Sequence, residues 1–436
     1  MDTIFAPSTA AGQAGIAVIR LSGPAVRDVL KQVCHINDPQ PRYAAFSGVY
    51  APSGDKIDEA VVLFFKGPNS FTGEDVAEIQ CHGSRAVLKE ILSVLSALPA
   101  CRMAEPGEFT KRAVYNQKMD LTAAEGLIDL IHADTEAQRK WAVRQMDGAL
   151  QRVYDGWRGE LVQSLALMEA YIDFPEEEIP DSCLEDIRNR TYNVITQLEH
   201  HLDDKGRGKR LKEGFSIVLV GAPNVGKSSL MNQLAKRDVA IVSSIAGTTR
   251  DIVEVSLDVA GYPVILADTA GLRETEEEIE SIGISRAIKR IREADFVIAV
   301  ADAQDYPHVD ETTSRALAEN PAHLIVWNKC DLTDKHPNGL CLCAQTGDGL
   351  DVLWDKITTV VVDTMGTGSE LMLTRERYKT ALRDCLAALK RSLTAPALEL
   401  QAEDLRLAAN ALGKITGRVQ VAELFDIIFS TFCIGK

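Results

Sequence analysis

The sequence predicts a multidomain chain: an α+β N-terminal module, an all-α helical region, and an α/β module inserted into that region. Three observations predict it. Short β-like runs mix with helical stretches over residues 1–118. From Asp120 the apolar spacing turns helical, stops near Leu202 and resumes near residue 364. Between those helical stretches the apolar run Phe215–Val220 leads into Gly221-Ala-Pro-Asn-Val-Gly226-Lys227-Ser228. The resulting segments are 1–118, 119–210, 211–364 and 365–436, the last returning to the helical domain. Insertion needs only neighbouring entry and exit points on the host, which is common for domain ends.

In the first segment, Ile16–Ile19, Ala60–Phe65 and Val76–Ile79 read as strands, with turn-forming Gly, Pro and Asn around them. Pro24–Val33 and Ser84–Leu98 carry apolar residues three and four apart and read as helices. On residue pattern alone, Arg20, Glu78 and Lys118 read as exposed strand-end or helix-cap residues. Cys81-His82 has no partner at metal-ligand spacing, and His82 reads as structural.

The helical region opens with the stripe Leu121, Ala124, Leu127, Ile128, Ile131. Thr135-x-x-Gln138 reads as a capping box for the next helix. Val153–Ile172 continues with Trp157, Leu161, Leu165 and Met168 on one side. Pro175 and Pro180 break the pattern around a run of glutamates, a solvated loop. Cys183–Leu202 resumes it, and Asp203–Arg210 reads as a linker or helix end. After the insert, Leu371–Leu393, Leu398–Leu412 and Val421–Phe429 read as helices.

A net charge of −16 argues against a body that grips nucleic acid by its overall field. A local basic patch, or a partner that holds a nucleic acid, is still compatible with it. Nine scattered cysteines without a C-x-x-C pair point to a reduced, cytoplasmic compartment; Cys341-x-Cys343 is too tight for the usual zinc spacing. No apolar run approaches a membrane span, and no signal peptide is evident.

The segment Gly221–Ser228 is the phosphate-loop pattern, placed between a strand-like and a helix-like run. Its glycines let backbone N–H groups approach phosphate oxygens, Lys227 adds a positive charge, and the Ser228 hydroxyl suits Mg²⁺. Downstream motifs fall in the order a GTPase requires. Gly247-Thr248-Thr249-Arg250-Asp251 precedes the strand-like Ile252–Val259; a threonine there completes a Mg²⁺ shell. Val264–Ala267 ends in Asp268-Thr269-Ala270-Gly271, where Asp268 would hold Mg²⁺ through water and the Gly271 amide would meet the γ-phosphate. Leu324–Trp327 leads into Asn328-Lys329-Cys330-Asp331; the Asp331 carboxylate accepts from guanine N1–H and its 2-amino group together, a pairing adenine does not offer. Cys343-Ala344-Gln345 stands where guanine-binding proteins usually carry Ser-Ala-Lys, which leaves the flanking side-chain contacts open. No glutamine follows Gly271 to orient water. Asn224 and the loop Ile241–Gly247 offer another solution: a monovalent cation seated where an arginine finger would otherwise reach. The acidic stretch Glu274–Glu280 reads, on its residues, as a solvated switch region.

Over its full length the chain resembles the MnmE (TrmE) family of tRNA-modifying GTPases. The stretches that carry this are AGIAVIRLSG, PNSFTGEDVAEIQCHG, EPGEFTKRAVYNQKMDLTAAEGLIDLI, IDFPEEEI, IAGTTRD, DTAGLRE and the terminal FCIGK. The resemblance implies a folate-binding, dimerising N-terminal domain, a helical middle domain and an inserted Ras-like P-loop GTPase domain. It places formyl- or methylene-tetrahydrofolate at Arg20, Glu78 and Lys118, with Lys436 nearby. GTP would be held by Asn224, Val225, Gly226, Lys227, Ser228 and Ser229, by Ser243, Ser244, Ile245, Ala246, Gly247, Thr248 and Thr249, and by Asp268, Thr269, Ala270 and Gly271. Asn328, Lys329, Asp331, Cys343, Ala344 and Gln345 would hold its base. Ser228 and Thr249 match the Mg²⁺ ligands; Asn224, Ser243, Ile245 and Thr248 match those of K⁺. Glu280 matches the catalytic glutamate that orients water, against the solvated reading of its stretch. Cys433 matches a family cysteine of open role. The implied activity is a K⁺-activated GTPase that forms a homodimer and works with the flavoprotein MnmG (GidA). Together they would place a carboxymethylaminomethyl or aminomethyl group on C5 of the tRNA wobble uridine, away from any membrane. The rival reading is a ribosome-assembly or RNA-binding GTPase switch. It is disfavoured because residues 369–436 carry neither a G-x-x-G loop of the KH type nor a basic run.

Overall fold

The computed structural model describes residues 2–174, 182–237, 254–268, 288–335, 337–366, 371–419, 425, 428–433 and 435. They fall into two compact units: Met1–Ile128 with Gln145–Glu169 and Ala402–Lys436, and Asp129–Arg144 with Ala170–Gln401.

The first unit opens with β1 (Thr3–Pro7), β2 (Ala14–Ser22), α1 (Val26–Cys34), β3 (Ala45–Tyr50), β4 (Lys56–Phe65), β5 (Val76–Gly83), α2 (Arg85–Ser96), β6 (Cys101–Met103) and α3 (Glu108–Tyr115). The strands form one sheet in the order β3-β4-β5-β2-β1-β6, antiparallel except where β1 meets β6. Strand alternation sends Ile19 and Leu21 of β2, Ile79 of β5 and Phe64 of β4 into a core closed by Leu30 of α1 and Leu95 of α2. Burying each such side chain stabilises the fold by roughly 1.5–3 kcal/mol. Arg112 on α3 is buried; its guanidinium donates to the carboxylates of Glu74, Glu108 and Asp2 at 3.0, 3.0 and 3.2 Å. Burial raises the Glu108 carboxyl, but Arg102, the Glu105 N–H and Arg112 outweigh it and hold that carboxyl below its usual range.

Two helices follow, α4 (Leu121–Ile131) and α5 (Glu136–Met146), then α6 (Ala149–Asp173) and α7 (Ser182–Leu202). Leu121, Ala124 and Ile128 pack against Phe425, Phe429 and Phe432 near the C-terminus. Ile131, expected on the same stripe, is 40% exposed. The Gln138 side chain accepts from the Thr135 backbone N–H at 3.0 Å, the reverse half of the expected capping box. The stretch read as a linker or helix end, Asp203–Arg210, runs into a separate short helix, α8 (Arg207–Glu213). The Asp204 carboxylate accepts from the Gly206 and Gly208 N–H groups at 3.0 and 3.3 Å and organises its start.

The second sheet comprises β7 (Phe215–Val220), β8 (Glu254–Val259), β9 (Tyr262–Asp268), β10 (Phe296–Asp302), β11 (His323–Asn328) and β12 (Leu340–Cys341). Helix α9 (Lys227–Arg237) follows the phosphate loop; α10 (Glu311–Glu319) precedes β11, and α11 (Leu350–Met365) follows β12. The order is β12-β11-β10-β7-β9-β8, parallel except at the β8 edge. β7 and β10 are almost wholly buried, which explains their unbroken apolar runs. β10 carries no motif and is absent from the sequence expectations. Successive crossovers leave β7 in opposite directions, so the chain ends of β7, β9 and β10 border the crevice where ligands of such sheets bind. The last helices are α12 (Glu376–Ser392) and α13 (Leu398–Thr416). α12 begins five residues later than the apolar pattern predicts, with Arg375 extended at its N-cap.

Candidate functional site

At the C-terminal end of β7 the chain makes the loop that opens α9. Two glycines there are required by crowding. A Cβ on Gly221 would lie 2.3 Å from the Val300 carbonyl oxygen, and one on Gly226 would lie 2.2 Å from Asn328 Nδ2. Asn224, with φ 64°, supplies the left-handed residue at the loop apex. Lys227 is buried; its Nζ donates to the Gly221 and Ala222 carbonyls at 3.0 and 2.8 Å and so spans the loop it follows. Ser228 Oγ donates to Asp268 Oδ2 at 3.1 Å, and Asp268 is buried. A hydroxyl and a carboxylate thus converge beside the loop, a hard-oxygen pair that suits Mg²⁺.

Asn328 ties the motifs together. Its Nδ2 donates to the Val225 carbonyl at 2.7 Å, and its Oδ1 accepts from the Ala344 N–H at 2.8 Å. One buried amide therefore joins the phosphate loop to the segment 343–345. Lys329 has φ 63° and pairs with Asp302 Oδ2 at 2.7 Å. Burial raises the Asp302 carboxyl, but Lys329 and the Gln304 N–H outweigh it and hold the group below its usual value. Asp331 is exposed, on a short 3₁₀ turn over Cys330–Leu332. Cys343 is buried and its sulfur accepts from the Thr346 N–H at 3.5 Å, a weak cap from the thiol that stands in for the usual hydroxyl. Gln345 and Ser229 are exposed, and Val225 is buried. Nothing local in the sequence marks Asp302; its role comes from the pairing of β10 with β11.

Ser243, Ser244, Ile245, Ala246, Gly247, Thr248, Thr249, Thr269, Ala270, Gly271, Glu280 and Lys436 lie outside the described residues.

In the first unit, Arg20 and Glu78 are direct cross-strand partners on β2 and β5. Arg20 Nε and Nη2 donate to Glu78 Oε1 at 3.1 and 2.9 Å, with the two side chains 18% and 19% exposed. This corrects the reading of them as exposed end residues: both stand in mid-strand, and the register brings them together. The Arg20 guanidinium lies over Phe71 and Phe109, 5.4 and 5.9 Å from their ring centres. Phe71 also lines a cavity of about 540 Å³ with Arg42, Phe65, Asn69, Ser70 and Lys118. Lys118 is exposed, and its Nζ donates to the Pro68 carbonyl at 2.9 Å. Arg42, Phe65 and Phe71 were not among the sequence candidates; the aromatic flanked by polar residues in Asn69-Ser70-Phe71 was the available signal for this cavity. His82 is a surface residue whose Nδ1 pairs with Asp58 at 2.8 Å. The tail reaches this unit too: Ser8 Oγ donates to the Gly435 carbonyl at 3.0 Å, and Cys433 is exposed.

A mostly parallel sheet with a glycine loop, a lysine and a serine beside a buried aspartate, and a guanine-selecting turn define a P-loop GTP hydrolase. Family models place it further. The model described as "GTP-binding protein TrmE N-terminus" matches residues 3–118, and "MnmE helical domain" matches residues 121–433. The chain is 46% identical to a tRNA modification GTPase MnmE of Rhodospirillum rubrum, covering all of both chains. It is 47% identical to that of Paramagnetospirillum magneticum, again over all of both chains. A third, from Maricaulis maris, is 46% identical over 100% of this chain and 99% of its own. The chain belongs to the MnmE family of tRNA modification GTPases. Its architecture is accordingly an α+β N-terminal domain, a helical domain and an inserted Ras-like GTPase domain.

Proposed function

We propose that this GTPase acts with a flavoprotein partner to modify C5 of the tRNA wobble uridine, takes its one-carbon unit from a tetrahydrofolate, and is activated by K⁺. The observation that carries the nucleotide half is the Asn328 bridge between Val225 and Ala344, which sets the phosphate and base segments in one frame. Ser228, with Thr249, would hold Mg²⁺, which neutralises charge developing on the β- and γ-phosphate oxygens. Asn224, with Ser243, Ile245 and Thr248, would hold K⁺ and supply a positive charge in place of an arginine finger. Glu280 would orient the attacking water.

For the folate half, the support is chemical fit. A pteridine is flat and aromatic, and the glutamyl tail is anionic. Phe65 and Phe71 offer ring faces, while Arg42 and Lys118 offer cations around one cavity. Arg20 and Glu78 form a donor–acceptor pair beside Phe71 suited to the heterocycle edge. Lys436 would add a further cation. The division 1–118, 119–210, 211–364 and 365–436, a homodimer and a cytoplasmic setting complete the reading. Among the described residues, no helix is long and apolar enough to cross a membrane.

Two measurements test it. GTP turnover by the full-length protein should be several-fold faster in K⁺ than in Na⁺; equal rates remove the cation mechanism. Calorimetric titration with formyl-tetrahydrofolate should show saturable binding that Glu78→Ala abolishes; no binding to the parent protein removes the folate step.

A further inference from the structure

Two thiols flank the turn assigned to the base, and the reading above uses neither. Cys330 stands between Lys329 and Asp331, and Cys341 ends β12 two residues before Cys343. β11 and β12 run parallel with Trp327 opposite Cys341. The Leu342 N–H donates to the Trp327 carbonyl at 2.8 Å, and the Cys330 N–H donates back to the Leu342 carbonyl at 3.3 Å. This interlock sets Cys330 and Cys341 on the same small core of Ala301, Ala303 and Trp327. Both thiols are half-buried, and Cys330 Sγ donates to the Trp327 carbonyl at 3.2 Å. Cys341 Sγ donates to the Pro337 carbonyl at 3.7 Å, and Cys341 is near enough to Cys330 to help raise its thiol. Cys343 is buried and already meets the Thr346 amide.

We propose that Cys330 and Cys341 form a dithiol modification site, closed to an intramolecular disulfide by a low-molecular-weight disulfide of the glutathione class, and that closure weakens guanine-nucleotide binding. One protein thiol gives its proton to solvent, and its sulfur attacks the external disulfide. A mixed disulfide forms and one external thiolate leaves. The second protein thiol, deprotonated in turn, attacks the protein sulfur of that mixed disulfide and expels the other external thiolate. The two departing thiolates take up two protons. Two protein thiols are oxidised, and one external disulfide is reduced to two thiols. Burial first, and then the Cys341 neighbour, push Cys330 up to about 11. Cys330 is thus a poor first nucleophile at neutral pH, and closure should accelerate as pH rises.

The link to binding is geometric. The two sulfurs now face the Trp327 and Pro337 carbonyls, so closing an S–S bond turns both side chains and shifts Cys330 relative to β12. Lys329 and Asp331 flank Cys330, and Lys329 is held by Asp302 in a left-handed conformation. The turn has little freedom to absorb the shift without displacing Asp331.

The inference rests on reading 328–331 and 343–345 as the base site, and the experiment separates the two. The full-length protein is equilibrated in buffers of rising oxidised-to-reduced glutathione ratio, alkylated and mapped by mass spectrometry, while GDP affinity is measured in parallel. Failure of the reduced protein to bind GDP would refute the base-site reading. Given binding, a Cys330–Cys341 link two hydrogens lighter than the dithiol should appear. Kd for GDP should rise about tenfold or more, as for a lost hydrogen bond to a charged group, and recover with dithiothreitol. Cys341→Ser should keep the reduced affinity and lose the redox response; Cys341→Ala provides the same test if the serine variant folds poorly. No link, a link with unchanged affinity, or a cysteine variant that still responds overturns the inference.

Discussion

Asn224 and Gly226 lie two residues apart and shape a single loop, whereas Arg20 and Glu78 are 58 residues apart and meet only because β2 and β5 pair in one register. The nucleotide site draws its polar groups from strand ends and loops, where backbone conformation and short motifs decide which atoms face the ligand. The Arg20 site draws its groups from mid-strand positions. A one-residue slip of β5 would send Glu78 to the opposite face. The first kind of site tolerates change in the sheet and is sensitive to its glycines; the second is sensitive to anything that alters pairing.

That contrast can be broken by experiment, beginning with the largest effect. Glu280→Ala should lower GTP turnover about 10²–10⁴-fold, the range for a removed acid–base group, while GTP affinity survives. Stopped-flow phosphate release together with equilibrium binding would show it, and parent-like turnover would remove Glu280 from the chemistry. Asn328→Ala removes a donor and an acceptor from a buried bridge. Nucleotide affinity should fall by about ten- to a hundredfold, since each unmet buried partner costs about 1–3 kcal/mol. Formyl-tetrahydrofolate binding should not change; a loss there would mean that the two sites are not independent. Arg20→Ala is the mirror case. It strips Glu78 of its partner, and folate affinity should drop by roughly tenfold, the scale of one charge-assisted hydrogen bond. An unchanged titration would make the pair purely structural.

The smallest effect concerns pH. Asp302 is held below its ordinary carboxyl value of 3.8. A depressed carboxylate stabilises the fold at every pH above its unfolded value, and that contribution is lost as pH falls through the lower folded value. Thermal melting followed downward from neutrality should therefore show the parent losing stability below about pH 4 more steeply than Asp302→Asn. Parallel curves would show that Lys329 gains nothing from its partner.

Much of the GTPase module was legible because its chemistry is written contiguously. The strand Phe215–Val220, the loop Gly221–Ser228 and the turn Asn328–Asp331 each appear where the pattern puts them. β10 was not legible: it carries no motif, yet it borders β7 and supplies Asp302. Helix α8 was hidden by Gly206 at its N-cap, by Gly208 and by basic residues, which read as linker or helix end until Asp204 is seen to accept from the Gly206 and Gly208 N–H groups. Arg20 and Glu78 were flagged only by resemblance. Residue pattern placed them at exposed ends, because no local rule states which strand will lie beside which.

What the amino-acid sequence determined by itself was the identity and order of the groups that meet a nucleotide, since phosphate loops and guanine turns depend on backbone freedom and side chains a few residues apart. The tertiary structure alone decided which distant groups become partners. Asn328 bridges Val225 to Ala344, Asp302 meets Lys329, Cys330 and Cys341 pack on one small core, and Arg20 faces Glu78. Each of these contacts is set by strand order and register, which arise from the burial of whole sheet faces rather than from any short stretch of chain.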